Sequence, residues 1–242
     1  MLKLAIVGYG KMGKEIESIL DHKIFKITGK YDIDNKIQTV SDSDELPDVA
    51  IEFSTPATVL DNIQFLAAKN INIVCGTTGW YDKTDKVKQI VSDYDIGFIY
   101  ASNFSVGVNI FFEAAAYTAK LVNKFEQYDI SIEETHHTQK LDKPSGTAIR
   151  IAEYLLENLD RKVQIVNDEP SPHNKDINIV SKRIENVVGN HKVIIDSIAD
   201  TIILEHNAKS RRGFAEGALL AAKFIHNKKG FYKFEEIFNN LI

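Results

Sequence analysis

The sequence predicts an α/β protein, with a Rossmann-type doubly wound parallel sheet and a second α+β domain whose sheet is mixed and largely antiparallel. Over roughly the first hundred residues, apolar strand runs alternate with segments of helical period, which is typical of a parallel sheet. A glycine-rich turn follows the first strand run and indicates the Rossmann type. After residue 127, strict alternation of apolar and polar residues indicates strands with one solvated face.

The first domain contains repeated strand and helix signals. The strand run LKLAIV at 2–7 precedes KMGKEIESIL, in which apolar residues recur at helical spacing. The strand run DVAIEF at 48–53 starts a second such unit. We expect Ser54 or Thr55 to cap the helix that follows, with Pro56 in its first turn. The strand INIVCG, the helix DKVKQIVSDY and the strand IGFIYA complete the series.

The second region begins with YDISIEE at 128–134, which alternates strictly and predicts a strand. HKVIIDSIADTIILEHNA predicts two strands joined by a turn at Ala199 and Asp200. The polar, proline-rich segment 167–176 predicts a surface loop. A last helix, GFAEGALLAAKFIHNKKG, and the short amphipathic piece FYKFEEIF are expected to return to the first domain.

Composition excludes several classes of protein. With 242 residues, 44% of them hydrophobic, the chain suits one large or two small globular domains. The net charge of −5 argues against a nucleic-acid partner. Cys75, the single cysteine, excludes an internal disulfide, and a buried, inert thiol is the favoured interpretation. No apolar run approaches the roughly 20 residues that span a bilayer. We therefore expect a cytoplasmic protein without a membrane partner.

The turn VGYGKMGKEI predicts a dinucleotide site. Gly8, Gly10 and Gly13 follow the G-x-G-x-x-G spacing between a strand and a helix, where backbone and helix N-terminus can approach a pyrophosphate. Tyr9, Lys11 and Met12 lie within the same turn and belong to the predicted site. The alternative is a tight strand-to-helix turn with no ligand, but the strand-helix-strand context favours NADPH or NADH binding.

The acid expected at the end of the second strand is Asp32, which would hold the adenosine ribose hydroxyls. Lys30 and Lys36 flank it, and a cation there could accept the 2′-phosphate of NADPH. The alternative for both lysines is a solvated loop. The sequence leaves the choice between NADH and NADPH open.

Two further turns follow strand ends on the edge of the sheet where ligands of such folds bind. CGTTGW is expected to approach the nicotinamide riboside, and ASNFSVGVN to line the nicotinamide pocket. Each on its own is also compatible with a simple turn. The cofactor-binding residues predicted here are Gly76, Thr77, Thr78, Ser102, Asn103 and Phe104.

The stretch EETHHTQKLDKPSGTA predicts an anion site between a strand and a helix. Ser145, Gly146 and Thr147 start the helix, so that backbone N–H groups and hydroxyls face the incoming loop. Two histidines and two lysines surround the same space and include natural proton donors: His136, His137, Lys140 and Lys143. A carboxylate-bearing substrate would be both held and protonated there.

Other interpretations of this stretch were weighed. Adjacent histidines can bind zinc, but a metal needs at least three convergent ligands and no further ligand motif lies nearby in sequence, so no metal is expected. For Lys143 a solvated surface position is favoured. Arg211 and Arg212 follow a strand run, and one of them is expected to reach the site while the other lies at the surface.

The stretch EETHHTQKLDKPSGTA resembles the signature of the dihydrodipicolinate reductase family, and GYGKMGKEI, GTTGW and ASNFSVGVN match it in the same order. The resemblance implies a Rossmann domain over 1–106 and 215–242, and a substrate-binding and oligomerisation domain over 107–214. It implies reduction of 4-hydroxy-tetrahydrodipicolinate by NADPH or NADH, in lysine and diaminopimelate biosynthesis, with closure of a hinge between the domains.

The resemblance also implies individual roles. His136 and Lys140 would be the proton-donating pair after hydride transfer to ring carbon C4. The substrate dicarboxylate would be gripped by His137, Lys140, Ser145, Gly146, Thr147 and Arg211. A homotetramer built through the second sheet is implied too, and apolar residues on its second face fit that expectation: Ile194, Ile198 and Ile202.

Two other classes share part of this pattern. Another nicotinamide-dependent dehydrogenase would carry the glycine turn, but it has no need of the whole string from His136 to Thr147. A non-catalytic protein that senses NAD would bind the dinucleotide without turnover, and the basic loop would then be a partner surface.

Overall fold

The chain forms two compact units, Met1–Val106 with Arg211–Ile242, and Gly107–Ser210. The computed structural model describes residues 1–41, 45–168 and 175–238. The second unit ends at Ser210, whereas the resemblance implied an end at residue 214. The last long helix begins at Arg212 and lies in the first unit. The cofactor-binding and substrate-binding roles of the two units stay predictions.

The first unit contains a six-stranded sheet in the order β11-β5-β4-β3-β1-β2, and every pair of neighbouring strands is parallel. The predicted Rossmann-type sheet is confirmed. Its elements are β1 Leu2–Val7, α1 Lys11–Ser18, β2 Phe25–Tyr31, β3 Val49–Glu52, α2 Val59–Ala68, β4 Asn72–Cys75, α3 Thr84–Asp93, β5 Gly97–Tyr100, α6 Arg212–Ile225, β11 Gly230–Lys233 and α7 Phe234–Phe238.

Helices cover both faces of this sheet because successive side chains of a strand point to opposite sides. In β1, Leu4 and Ile6 pack with α1 and α6, whereas Ala5 and Val7 pack with α2 and α3. Burial on both faces explains the almost continuous apolar runs in the strands. The sheet therefore holds the carboxyl ends of its strands, where the predicted cofactor residues lie, in a rigid frame.

Helix α2 begins later than predicted, at Val59, and the residue before it, Thr58, makes no side-chain cap. Ser54 does not cap the helix because its hydroxyl donates to the carboxylate of Glu52 and lies 3.0 Å from the Thr58 hydroxyl. Residues 55–58 form a turn instead, in which the backbone N–H of Thr58 donates to the carbonyl of Thr55 at 3.1 Å. Pro56 belongs to that turn.

The C-terminal return to the first unit is observed, but the sequence analysis missed a strand in it. Part of FYKFEEIF is β11, which extends the parallel sheet beside β5, and α7 follows directly. A strand of four residues with an amphipathic helix behind it gives no clear period in sequence.

The second unit has a mixed five-stranded sheet in the order β10-β9-β6-β8-β7. The mixed sheet is confirmed, but only the pairs β6 with β9 and β9 with β10 are antiparallel, while β6 with β8 and β7 with β8 are parallel. The elements are α4 Val106–Val122, β6 Asp129–His136, α5 Gly146–Leu156, β7 Gln164–Asn167, β8 Asp176–Arg183, β9 Gly189–Asp196 and β10 Thr201–Ala208.

Three elements of this unit were not predicted, namely α4, β7 and β8. The predicted turn between β9 and β10 is observed at Ser197–Asp200, where the backbone N–H of Ser197 donates to the carbonyl of Asp200. Of the predicted loop 167–176, Asn167 ends β7 and Asp176 begins β8. Residues 169–174 lie outside the described part of the chain.

One face of the second sheet packs on α4 and α5, through a core that includes Phe112, Ile151, Ile132 and Val193. On the other face, Ile203 lies opposite Ile194 and is exposed by 54%, whereas Ile202 lies opposite the buried Ile195 on the helix-covered face and is still exposed by 43%. Ile198 lies in the turn between β9 and β10 and is fully exposed.

Of the three residues predicted on the second face, only Ile194 lies there. The prediction was wrong for Ile202, because the register of β9 and β10 turns its side chain to the helix side, and for Ile198, which lies in the turn. Among the described helices, none has the length and hydropathy to cross a membrane.

Gly8 and Gly10 provide a matched pair for testing the turn after β1. Gly8 has φ of +88°, and a Cβ there would lie 2.1 Å from the carbonyl oxygen of Phe53, whereas a Cβ on Gly10 would meet nothing within 4 Å. We expect Gly8→Ala to lower the unfolding free energy of the first unit by about 3 kcal/mol, from backbone strain and overpacking together. Gly10→Ala should change it little.

Urea unfolding monitored by Trp80, the single tryptophan, checks this prediction, because the residue is 1% exposed and lies in the first unit. Equal stability of the two variants would contradict the close approach of Gly8 to Phe53.

Candidate active site

The predicted anion site lies where strand β6 ends and helix α5 begins. His136 is the last residue of β6, and residues 137–144 form the loop. Ser145 is the N-cap of α5, and its hydroxyl accepts a hydrogen bond from the N–H of Ala148 at 3.1 Å. The predicted helix start is therefore confirmed, and Ser145 fixes its direction.

Glu134 forms the centre of the site, although the sequence analysis did not single it out. Its side chain is fully buried, and Oε1 accepts from the backbone N–H of Ser145 and from Nη2 of Arg183, both at 3.1 Å. Oε2 lies 3.0 Å from Nδ1 of His136 and 3.9 Å from Nε2 of His191. One carboxylate thus connects the strand end, the helix start and two neighbouring strands.

Glu134 is ionised at neutral pH. Burial alone would raise the pKa of its carboxyl group, but the side chains of His136, Ser145 and Ser181 and the backbone N–H of Ser145 outweigh that effect. The pKa is lowered well below the usual value for glutamate. A permanent negative charge therefore lies next to the rings of His136 and His191.

His191 is neutral at the same pH. The pKa of His191 is lowered to about 3, chiefly by burial and then by the nearby His136, against the opposing effect of Glu134. Its Nε2 lies 3.3 Å from the Ser145 hydroxyl, and its ring meets that of His136 edge to face at 5.1 Å. His191 therefore contributes an uncharged ring to the lining of the site.

Arg183 ties the loop to the strand end. Besides its contact with Glu134, the guanidinium donates to the carbonyl oxygens of Lys140, at 3.3 Å, and of Asp142, at 2.6 Å. A planar group with several donors can satisfy three acceptors at once, which lysine cannot do with the same geometry. Arg183 thereby fixes the backbone that carries Lys140.

The predicted substrate residues lie around this centre in the second unit. Lys140 pairs with Asp142, its Nζ 2.8 Å from Oδ1. Lys143 pairs with Asp168 at 2.8 Å and is largely exposed, as favoured from the sequence. His137 and Thr147 are half-buried, and Gly146 is exposed at the start of α5 with no atom within 4 Å of a Cβ built on it.

Arg211 lies in the first unit, as the residue before helix α6, and its side chain is exposed. Its predicted contact with the substrate stays a prediction. The neighbouring Arg212 pairs with Glu216, one helical turn on, at 2.9 Å.

The sequence contains one signal that would have found Glu134. In the alternating strand YDISIEE, the buried positions are Ile130, Ile132 and Glu134, so a carboxylate occupies a position that faces the core. Arg183 and His191 carry no local signal. They reach the site only through the pairing of β8 and β9 with β6.

A metal was not expected, because it needs a third convergent ligand and no cysteine or second histidine motif lies nearby in sequence. The fold supplies one, since Glu134, His136 and His191 each offer a ligand atom within 4.8 Å of the others. The Arg183 guanidinium on Glu134, however, already neutralises the carboxylate and would repel a cation. We therefore keep the prediction that the site holds no metal.

The glycine turn of the first unit fits a dinucleotide. Gly13 lets helix α1 approach the turn, since a Cβ there would lie 2.6 Å from the carbonyl oxygen of Gly8. The space beside Gly10 is open, at the N-terminus of α1 where N–H groups favour a phosphate. Lys11 and Met12 form the first turn of that helix.

The residues predicted to bind the adenosine ribose and a 2′-phosphate lie at the end of β2 and in the segment that follows it. Asp32 follows β2 and is exposed, and its Oδ1 accepts from the N–H of Ile33. Lys30 pairs with Glu17 at 3.1 Å and lies over the ring of Tyr9, whose hydroxyl also donates to Glu17. In this structure the Lys30 ammonium group is therefore paired with helix α1, and its contact with a 2′-phosphate stays a prediction. Lys36 is exposed.

The two remaining turns follow β4 and β5. Gly76 is packed against the ring of Phe53, Thr78 and Ser102 are exposed, and Thr77 is buried with a hydroxyl that lacks a hydrogen-bond partner among the described residues. Asn103 is buried, and its Oδ1 accepts from the N–H of Ser105.

Phe104 does not line an open pocket. Its ring packs on Phe53 and Phe234 and is 2% exposed. A cofactor contact from this residue would have to come from its backbone. Cys75 is buried beside Glu52, and burial raises the pKa of its thiol well above the usual value, which supports an inert thiol.

The lowered pKa of His191 predicts a pH dependence of stability. Above the unfolded pKa, near 6.5, the group is neutral in both states, and as the pH falls towards 3 only the unfolded chain takes up the proton. Between pH 7 and pH 5 we expect wild type to lose about 2 kcal/mol through this group. His191→Gln should lack that loss.

Urea unfolding at both pH values, monitored by far-UV circular dichroism, measures the difference. Glu134 is ionised in both states over this range because its folded pKa is lowered and its unfolded pKa is about 4.3. The same pH dependence in both proteins would contradict a neutral, buried His191.

Two family models together match most of the chain. The family model for the dihydrodipicolinate reductase N-terminus matches residues 2–104, and the model for its C-terminus matches residues 107–238. A protein of Christiangramia forsetii named 4-hydroxy-tetrahydrodipicolinate reductase is 42% identical over 99% of this chain and 99% of its own length. One of the same name from Thermosipho africanus is 34% identical over 98% and 97%.

A solved structure has the same fold. It is a dipicolinate-bound dihydrodipicolinate reductase from Paenisporosarcina sp., with a TM-score of 0.74 at 23% identity over 98% of this chain and 99% of that one. Because the family models and the full-length relatives cover both units, the chain belongs to the dihydrodipicolinate reductase family.

Proposed function

We propose that this chain catalyses the NAD(P)H-dependent reduction of 4-hydroxy-tetrahydrodipicolinate to tetrahydrodipicolinate, a step of lysine and diaminopimelate biosynthesis. The observation that carries this proposal is the full-length likeness to relatives named for that reaction. The string from His136 to Thr147, assembled around one buried carboxylate, supports it.

The dicarboxylate substrate is proposed to bind at the start of helix α5. The N-terminus of this helix offers N–H groups and a partial positive charge, and Ser145 and Thr147 add hydroxyls. His137 and Lys140 supply cationic or hydrogen-bonding partners from the loop, and Arg211 is proposed as a further contact. The dipicolinate bound to the Paenisporosarcina protein supports a ligand of this class.

The proposed chemistry assigns proton donation to His136 and Lys140. When bound, the reduced nicotinamide supplies a hydride for ring carbon C4, directly or after loss of water from the 4-hydroxy form. His136 and Lys140 then protonate the resulting enamine. Lys140 is held by Asp142 in the described structure, so a substrate carboxylate would compete with Asp142 for the ammonium group.

The first unit is proposed to hold the cofactor. The turn of Gly8, Tyr9, Gly10 and Gly13 would receive the pyrophosphate, and Asp32 would bind the ribose hydroxyls. Lys30 would have to leave Glu17 to reach a 2′-phosphate, which leaves Lys36 as the other cation for NADPH. We propose that both NADH and NADPH serve, and the preference between them stays open.

An assay of NADH and NADPH oxidation, coupled to the fresh product of the preceding synthase, tests the function. We expect turnover that requires this product, and we expect Lys140→Ala to lower kcat about a hundredfold or more, as for the loss of a general acid. Lys143→Ala, which removes a neighbouring lysine paired with Asp168, is the matched control and should retain activity.

Wild-type protein without turnover on either cofactor would reject the proposed function. A folded Lys140→Ala variant with unchanged kcat would keep the function but remove Lys140 from the mechanism.

We also propose a homotetramer built through the second sheet. The exposed residues Ile202 and Ile203 lie on β10, the edge strand of that sheet, and the exposed Ile198 lies in the adjoining turn. Apolar residues at a sheet edge are expected to be covered by another subunit.

The expectation of a cytoplasmic location stays a prediction.

Light scattering at micromolar concentration checks the assembly. A mass near four times the 27.3 kDa of one chain is expected, and Ile202→Lys with Ile203→Lys should shift it towards smaller species. A wild-type mass near that of one chain would contradict the tetramer.

A further inference from the structure

The side of Glu134 that faces the histidines is unusual for a buried carboxylate. Oε1 accepts two hydrogen bonds, whereas Oε2 accepts none of ordinary geometry from a described residue, although the side chain is fully buried. The side chains of His136, Ser145 and Ser181 nevertheless lie close enough to lower the pKa of this carboxyl group. Nδ1 of His136 is also buried and likewise makes no hydrogen bond of ordinary geometry with a described residue. Leaving a buried polar atom unpaired costs about 1–3 kcal/mol, and more for a charged group.

The two unpaired atoms lie next to each other. Nδ1 of His136 is 3.0 Å from Oε2 of Glu134, which is hydrogen-bond distance, but the ring is not aligned for a linear bond. Because Arg183 and the N–H of Ser145 hold Oε1, the carboxylate cannot turn towards another partner.

Gly189 lies beside the opposite edge of the His136 ring. A Cβ at Gly189 would lie 3.2 Å from Nε2, so any other residue there would crowd this nitrogen. With Nδ1 at the carboxylate, Nε2 is the ring nitrogen left to act on a ligand. His191, the other ring near Oε2, is neutral and touches Ser145 with its Nε2.

We propose that Glu134 is a positioning residue for His136: it keeps the proton on Nδ1 and aims Nε2 at the substrate, while Arg183 and the start of α5 hold the carboxylate in place. The idea rests on the proposed function. In the step, the proton leaves Nε2 for the enamine carbon, and the ring ends neutral with its remaining proton on Nδ1. Glu134 stays ionised throughout and takes no proton.

Glu133 provides a matched control one residue away. It pairs with Lys182 and Lys192 on the other face of β6 and has no contact with the histidines among its described interactions. Glu133→Gln removes one carboxylate charge from the same strand. It should leave kcat and KM close to wild type.

Steady-state kinetics of Glu134→Gln and Glu134→Asp test the proposal. Glu134→Gln should lower kcat about a hundredfold, the range for a misplaced general acid, with KM for the substrate changed less than about threefold. Glu134→Asp retains the negative charge but places it farther from His136. Its kcat should therefore lie between those of Glu134→Gln and wild type. An unchanged kcat, equal losses in both variants, or a rise in KM that accounts for the whole effect would overturn the proposal.

Nitrogen-15 NMR of His136 in the wild-type protein tests it without turnover. We expect a proton on Nδ1, and we expect its resonance to shift in Glu134→Gln but not in Glu133→Gln. A bare Nδ1 in wild type would overturn the proposal even if the variants were too unstable to assay. Failure of the proposed function would show separately, as absence of turnover in wild type.

Discussion

The buried carboxylate of Glu134 is the interaction on which the second unit's site depends. An ionised side chain without solvent contact is stable only if donors surround it, and here the donors come from the start of α5 and from β8. Each donor also fixes something else: Ser145 sets the direction of the helix, and Arg183 holds the loop carbonyls. Removal of the charge would therefore release several parts of the site together.

This arrangement joins stability to chemistry. The same negative charge that orders the loop lies beneath His136, one of the two proposed proton donors, and beside His191, which burial keeps neutral. His136 thus contacts the neutral ring of His191 on one side and the ionised carboxylate of Glu134 on another. The first unit follows a different principle, since backbone geometry at Gly8 and Gly13, and not a buried charge, shapes its turn.

The sequence predicted the parts of the fold that carry local patterns. The glycine turn between β1 and α1, the strand β6 and the helix α5 with its cap at Ser145 are all observed, because each is encoded by residues close together in the chain. The strand β8 was missed, although it is the neighbour of β6. Its pairing is non-local, and its residues DINIVSKR lack a strict alternation.

The site was predicted only in part for the same reason. His136, Lys140 and Ser145 lie close together in the chain and could be recognised together, whereas Arg183 and His191 come from separate strands. Lys30 is the converse case: it adjoins Asp32 in sequence, but its side chain pairs with Glu17 on a helix. Proximity along the chain fixes the position of a backbone segment, not the partner of a long charged side chain.

A crystal structure of the protein with pyridine-2,6-dicarboxylate tests the central claim most directly. The account predicts one ligand carboxylate at the N–H groups that start α5, Nε2 of His136 facing the ring, and Glu134 still bound to Arg183 and Ser145. A ligand bound away from Ser145, or a Glu134 side chain that leaves Arg183 when the ligand binds, would contradict it.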